Sequence, residues 1–220
     1  MSFKAWVDAM LKQDCYKNEE TFLRRTGLSG FVFFRQFLKD PRAVGSVWPS
    51  SRHLAEAMTH GIDFERDFIV ELGCGTGAVT QHIAKKLKKP ENYLGFEIRR
   101  ELQARLRLRF RDLQIVADSA TELHSYVDLS RRPLNAIVSS LPLSSIDRTV
   151  SEQILRTYIE ALAPGGIFRL FLYAHTLPLP RNQRFLETLS ENLKFADSTF
   201  VLLNFPPAQV LTFKKAKHDH

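Results

Sequence analysis

RDFIVELGCGTGAVTQH, residues 66–82, runs from a short apolar segment into a carboxylate and then into three alternating glycines. The spacing predicts a strand over 67–72 and a turn in which Gly73, Gly75 and Gly77 let the backbone approach a ligand closely. A helix over 78–87 follows. A nucleotide cofactor would lie against the turn and the helix start. Gly73, Gly75 and Ala78 also satisfy the G-x-G-x-x-G/A pattern of NAD and FAD sites, so other residues must discriminate. A dinucleotide site aims helix N–H groups at a pyrophosphate, beside which Glu71 would add unwanted negative charge. S-adenosylmethionine carries an ammonium and a sulfonium, and Glu71 suits its amino acid end, directly or through water.

The next two strands support that cofactor. Residues 93–98, YLGFEI, place Glu97 at a strand end, where two carboxylate oxygens could accept both ribose hydroxyls, with Ile98 beside it on the cofactor. Residues 113–118, LQIVAD, place Asp118 with Ser119 at an adenine amino edge. Each acid alone reads as an ordinary strand end or helix cap. In register behind one glycine turn, each about one β-α unit after the last, they read as ligands. Ser139, at the end of the fourth strand, joins this cofactor set.

Strand and helix patterns alternate from residue 66 onward. Strands over 67–72, 93–98, 113–117, 134–140, 166–174, 198–204 and 208–214 predict an α/β, doubly wound, seven-stranded Rossmann-like sheet. Only a Phe-Pro-Pro turn separates the last two, so they form an antiparallel pair at one edge, an ending that fits the class I methyltransferase sheet. The division expected is a helical extension over 1–60 and a methyltransferase domain over 61–220.

Composition bounds the partners. With 44% hydrophobic residues in 220, the chain can build its own core and is expected to be a monomer. Cys15 and Cys74 fit no metal spacing, so no metal and a reducing cytoplasm are expected. No run approaches the roughly 20 apolar residues of a membrane span. A net charge of +7 favours an anionic partner, either nucleic acid or an acidic lipid surface. The densest basic stretch, residues 99–111, is a helix whose arginines form a solvated face or a nucleic-acid contact. Near the N-terminus, Phe3, Trp6, Val7, Met10 and Leu11 form an amphipathic stripe, and a second aromatic run at 31–38 is flanked by Arg24, Arg25, Arg35 and Lys39. Such helices either lie among lipid headgroups or cover the cofactor site.

Residues 136–145, AIVSSLPLSS, fall where an acceptor should bind beside the transferred methyl group. Adenine amino methyltransferases carry an aromatic in the related turn, whereas here Leu143 stands there. Stacking of a base on an aromatic is worth roughly 1–3 kcal/mol, so its loss disfavours a flipped nucleobase. Four segments carry a narrower resemblance: residues 34–57 (FRQFLKDPRAVGSVWPSSRHLAEA), residues 71–77, residues 139–143 (SSLPL) and residues 204–210 (NFPPAQV). With them the chain resembles bacterial phospholipid N-methyltransferases of the phosphatidylethanolamine-methylating type, relatives of ribosomal RNA adenine dimethylases. It departs at Ser139-Ser140, where the family has Ser-Gly. The resemblance implies S-adenosylmethionine as donor, with S-adenosylhomocysteine as product, and a lipid amine carried towards phosphatidylcholine. It also implies peripheral attachment to the inner face of the cytoplasmic membrane, with nucleic acid not a partner. The alternatives are another aminolipid such as ornithine lipid, a small amine, or an rRNA adenine.

An amine near pKa 10.4 is almost wholly ammonium at neutral pH, a deficit of roughly 4–5 kcal/mol that a dry site beside a positive charge would reduce. Backbone carbonyls near Ser140 and Leu141 would orient the lone pair. Tyr173 and His175 are candidates for an aromatic wall or a proton relay, and Tyr173 could hold a methylated cation on its ring face. His175 would equally serve as a structural hydrogen-bonding residue. For the headgroup phosphate, Arg42, Ser50, Ser51 and Arg52 are available, with Trp48 beside them.

Overall fold

Strands buried on both faces need helices above and below. β1 (Ile69–Leu72) and β2 (Tyr93–Phe96) are buried at every position, as parallel strands in the middle of an α/β layer must be. The structure, a computed structural model, describes residues 51–204 and 206–217, together with Ala5. β3 (Gln114–Val116), β4 (Leu134–Ser139), β5 (Leu162–Tyr173), β6 (Lys194–Val201) and β7 (Ala208–Lys214) complete one seven-stranded sheet in the order β3-β2-β1-β4-β5-β7-β6. β7 runs antiparallel to both its neighbours and the other pairings are parallel. The helices are α1 (Arg52–Thr59), α2 (Ala78–Lys86), α3 (Arg100–Arg109), α4 (Arg148–Ala161) and α5 (Pro180–Asn192).

The strand order positions the site. From β1 the chain winds outward through β2 and β3, then returns to place β4 on the other side of β1. The connections leaving β1 and β4 therefore part company, and a crevice opens at the carboxyl ends of these two strands. The glycine turn follows β1 and the 140–145 turn follows β4, so both line it.

The expected boundaries shift most at β5 and β6. β5 begins at Leu162, four residues before the expected 166. β6 occupies Lys194–Val201 rather than 198–204, because β7 pairs with it from Lys214 opposite Lys194 to Ala208 opposite Val201. Pro206 and Pro207 lack the N–H groups that would carry the ladder further. β7 also lies inside the sheet, so β6 alone forms that edge.

α1 belongs to the packed core, although its residues fall in the stretch read from sequence as an extension. The Ser51 hydroxyl caps it by accepting from Leu54 N at 3.1 Å. Leu54, Ala55 and Met58 are buried in one cluster with Ile69, Val79 and Val210. Arg169 on β5, only 6% exposed, donates to Met58 O at 3.2 Å, His60 O at 2.6 Å and Thr212 Oγ1 at 2.9 Å. A guanidinium thus satisfies the last carbonyls of α1 and fastens it to the sheet. Arg169→Met keeps the volume and strands those acceptors; it is expected to cost about 2 kcal/mol, a fall of roughly 4–8 °C in melting temperature by calorimetry. The stripe at Phe3, Trp6, Val7, Met10 and Leu11 and the run at 31–38 lie outside the described residues, as do Arg42, Trp48 and Ser50. No helix among the described residues is long and apolar enough to cross a membrane.

Candidate active site at the carboxyl edge of the sheet

The three glycines have different tasks. All take positive φ, +76° at Gly73, +55° at Gly75 and +82° at Gly77, a conformation that L side chains rarely adopt. A Cβ on Gly73 would sit 2.7 Å from Leu141 Cδ2, so the acceptor turn packs directly on the glycine turn. A Cβ on Gly77 would sit 2.6 Å from Leu106 Cδ2 and 3.1 Å from Phe110 Cε2, so this glycine lets α3 pack against the start of α2. Beside Gly75 a Cβ would meet only Gly73 O, at 3.9 Å. That open side is where a ligand can approach the backbone.

Glu71 underpins the turn from inside. It is 0% exposed, and its oxygens accept from Tyr93 Oη at 2.6 Å and from Thr80 Oγ1 at 3.0 Å. Loss of water pushes its carboxyl up to about 7, and the two hydrogen bonds only partly oppose this. Gly95 makes the arrangement possible. A Cβ there would lie 2.6 Å from Tyr93 Oη and 2.7 Å from Cys74 Sγ, so the bare glycine leaves room for the tyrosine to reach the carboxylate. Tyr93 and Thr80 escaped the sequence reading; a signal existed in Tyr93 standing two places before Gly95 on the same face of a strand. Cys74 is buried and its thiol is pushed well up, so it packs and does not react.

The other two acids stand where the sequence placed them, at the ends of their strands. Glu97, 4% exposed, accepts from Gly75 N at 2.7 Å and from Arg99 N at 3.0 Å, tying the β2 end to the glycine turn. Ile98 next to it is 69% exposed, an apolar surface available to a purine. Asp118 accepts from Ser119 N at 2.7 Å and from Tyr126 Oη at 2.8 Å, and the Tyr126 ring stands edge-on to Phe96 at 5.7 Å. Tyr126 is a second residue missed from sequence, because it follows in a 3₁₀ segment with no periodic pattern. Ser119 caps that segment by accepting from Thr121 N.

On the other side of the crevice, Ser139 Oγ is fully buried without a hydrogen-bond partner, on the residue whose Cα pairs with Leu72 and Leu170. Ser140 N donates to Leu72 O at 2.8 Å, which carries the β4 ladder into the turn. Leu141 is half-buried and Leu143 buried. At the end of β5, Tyr173 and His175 stack at 6.1 Å with 15° between ring planes, and Phe171 stands edge-on to Tyr173 at 5.5 Å. Burial raises the Tyr173 phenol and lowers His175 below the ordinary histidine range, so both are neutral at pH 7. Ser51 N donates to Asn204 Oδ1 at 3.0 Å, which brings together two of the segments singled out from sequence, 153 residues apart. Arg52 projects outward with its side chain 84% exposed and pairs with Glu56.

Positive-φ backbone open at Gly75, carboxylates at two strand ends and an uncovered Ile98 fit S-adenosylmethionine. Among the described residues no group of three or more His, Cys, Asp or Glu could hold a metal ion. A family profile described as a methyltransferase domain matches residues 69–166. The chain is 28% identical over 185 residues to an ornithine lipid N-methyltransferase of Singulisphaera acidiphila, covering 81% of this chain and 92% of that one. Its fold is similar to the N-methyltransferase NodS of Bradyrhizobium japonicum in complex with S-adenosyl-L-homocysteine, with TM-score 0.58, 16% identity, and 74% and 85% of the two chains covered. It is also similar to an S-adenosylmethionine-dependent methyltransferase of Clostridium acetobutylicum, with TM-score 0.59, 12% identity, and 84% and 98% covered. The chain has the class I S-adenosylmethionine-dependent methyltransferase fold, and its residues 69–166 match a methyltransferase domain.

Proposed function

We propose that this methyltransferase acts on the primary amine of a membrane aminolipid. The observation that carries this reading is the acceptor turn, an apolar Leu141-Pro142-Leu143 packed on Gly73 with no aromatic to stack a base. The ornithine lipid N-methyltransferase relative supports an aminolipid and favours ornithine lipid over phosphatidylethanolamine as the headgroup to test first.

Gly75 with Glu97, Ile98 and Asp118 would hold the cofactor, which supplies an electrophilic methyl group when bound. Leu141 and Leu143 keep water from the acceptor amine, and the Ser140 hydroxyl and nearby carbonyls can orient it. His175, neutral through burial, has a ring nitrogen able to accept the proton the amine must lose. The Tyr173 ring offers a face to the methylated cation. Ser51 and Arg52 would be the partners for a headgroup anion, with attachment at the cytoplasmic face of the membrane.

The test is transfer of labelled methyl groups by the full chain to vesicles containing ornithine lipid, phosphatidylethanolamine or neither, with ribosomal RNA as a parallel acceptor. Incorporation into at least one lipid amine is expected, and mass analysis of the product counts the methyl groups. Labelling of RNA with no labelling of either lipid would overturn the assignment.

A further inference from the structure

Seven large hydrophobic side chains are exposed among the described residues, and six of them leave the sheet at its carboxyl edge. Ile98 belongs with the cofactor site, and Leu108 on α3 is the exception. The other five are Val150 in the first turn of α4, Leu179 before α5, Phe200 at the end of β6, and Leu202 and Leu203 in the β6–β7 turn. Among these five, exposure is highest in that turn, at 61% for Leu202 and 66% for Leu203. Chance would scatter single exposed apolar residues over the whole surface.

The turn is held rigid from below. Asn204, 7% exposed, accepts from Ser51 N and donates to Pro206 O at 2.7 Å, and Ala174 N donates to Pro207 O at 2.9 Å. With its polar groups bonded inward to α1 and to the end of β5, the hairpin presents its two leucines outward in fixed positions. Around the same edge stand exposed arginines: Arg52, Arg99 and Arg148, with side chains 84%, 53% and 89% exposed. Each pairs with a glutamate; the Arg52–Glu56 and Arg148–Glu152 pairs are exposed on both sides, and such pairs are weak and exchange readily with another anion.

We propose that the β6–β7 turn is a membrane-insertion element: Leu202 and Leu203, with Phe200 and Leu179 behind them, enter the headgroup boundary of an anionic bilayer. The surrounding arginines meet its phosphates. The proposal rests on the aminolipid reading. It also explains a geometric need of that reading, because a lipid amine cannot leave the bilayer cheaply, and the crevice between β1 and β4 must therefore face the membrane. Apolar side chains flanked by basic ones bind such a boundary by burial plus attraction to acidic lipid, and the net charge of +7 has the matching sign.

The experiment uses the full chain with Cys15→Ser and Leu203→Cys, labelled with an environment-sensitive dye; Cys74 is buried and unreactive. On vesicles of phosphatidylcholine with phosphatidylglycerol, a blue shift and quenching by lipids brominated on the acyl chain are expected. A dye on Leu108→Cys, on α3, is expected to remain in water. Dye at position 203 that stays in water on vesicles that sediment with the protein would overturn the proposal, as would dye already buried through self-association before vesicles are added. In the unlabelled chain, Leu202→Asp with Leu203→Asp is expected to lower transfer to bilayer-embedded acceptor at least tenfold and leave S-adenosylhomocysteine affinity unchanged. Insertion needs no turnover: insertion without methylation of any lipid would sustain this surface and remove the aminolipid reading. Lipid methylation without insertion would do the reverse.

Discussion

Gly75→Val is expected to lower affinity for S-adenosylmethionine at least ~100-fold while the chain melts only a few degrees below its parent. The reasoning starts from φ. At +55° a valine pays the left-handed penalty of about 1–2 kcal/mol, equivalent to roughly 2–8 °C for a domain of this size. Nothing else resists it, because the nearest atom to its Cβ is Gly73 O at 3.9 Å. The cofactor does resist it. A branched side chain would fill the open side of the turn and keep the ligand from the backbone, and 100-fold corresponds to about 2.7 kcal/mol. Gly77→Val should behave in the opposite way. Its Cβ would collide with Leu106 and Phe110 on the packing face of α3, so strain and overpacking combine to about 3 kcal/mol or more. Titration calorimetry and thermal melting on the two variants read this crossover. If both lost stability and affinity in the same proportion, the separate tasks assigned to the two glycines would be wrong.

The legible parts of this molecule were those that repeat a local rule. β1, β2 and β4 are short apolar runs ending at a turn or an acid, and burial on both faces leaves them no other reading. Glu97 and Asp118 were legible as strand-end acids because each follows its strand at the same step of the winding, whereas Glu71 lies inside β1. The missed residues act across strands. Tyr93 reaches Glu71 only because Gly95 lacks a side chain, and Asn204 meets Ser51 only when the sheet brings the ends of the chain together. Arg169 is a lone charge in the apolar run of β5, and α1 docks on it. The shortened β6 has a similar cause: Leu202 and Leu203 continue the apolar pattern, while the ladder is limited by prolines in the partner segment. That shortening turned two presumed strand leucines into the most exposed apolar pair of the β6–β7 hairpin.

Glu71 is where sequence and structure pull apart most usefully. Sequence offered it as a partner for the cofactor ammonium, whereas the structure encloses it with Tyr93 and Thr80 on its two oxygens. Desolvation holds its carboxyl at about 7 against an ordinary 4.5. Between those values the folded chain binds more of the proton than the unfolded chain does. The resulting stability is fully present below about pH 4.5 and is lost as pH rises through 7, about 3 kcal/mol in all. Glu71→Gln removes the titration, so the stability difference between the two chains should change by that amount from pH 4.5 to 8. Glu71→Ala removes the acceptors altogether and leaves two buried hydroxyls facing a cavity, a loss of about 4 kcal/mol that should also abolish cofactor binding as the turn loses its support. The two roles separate in proton counting. An ammonium placed against this carboxylate lowers its pKa, so binding near pH 6 should release a proton and give heats that depend on the ionisation enthalpy of the buffer. The glutamine variant should show no such dependence from this position. Buffer-independent heats in the parent chain would mean that Glu71 acts only through the glycine turn it supports.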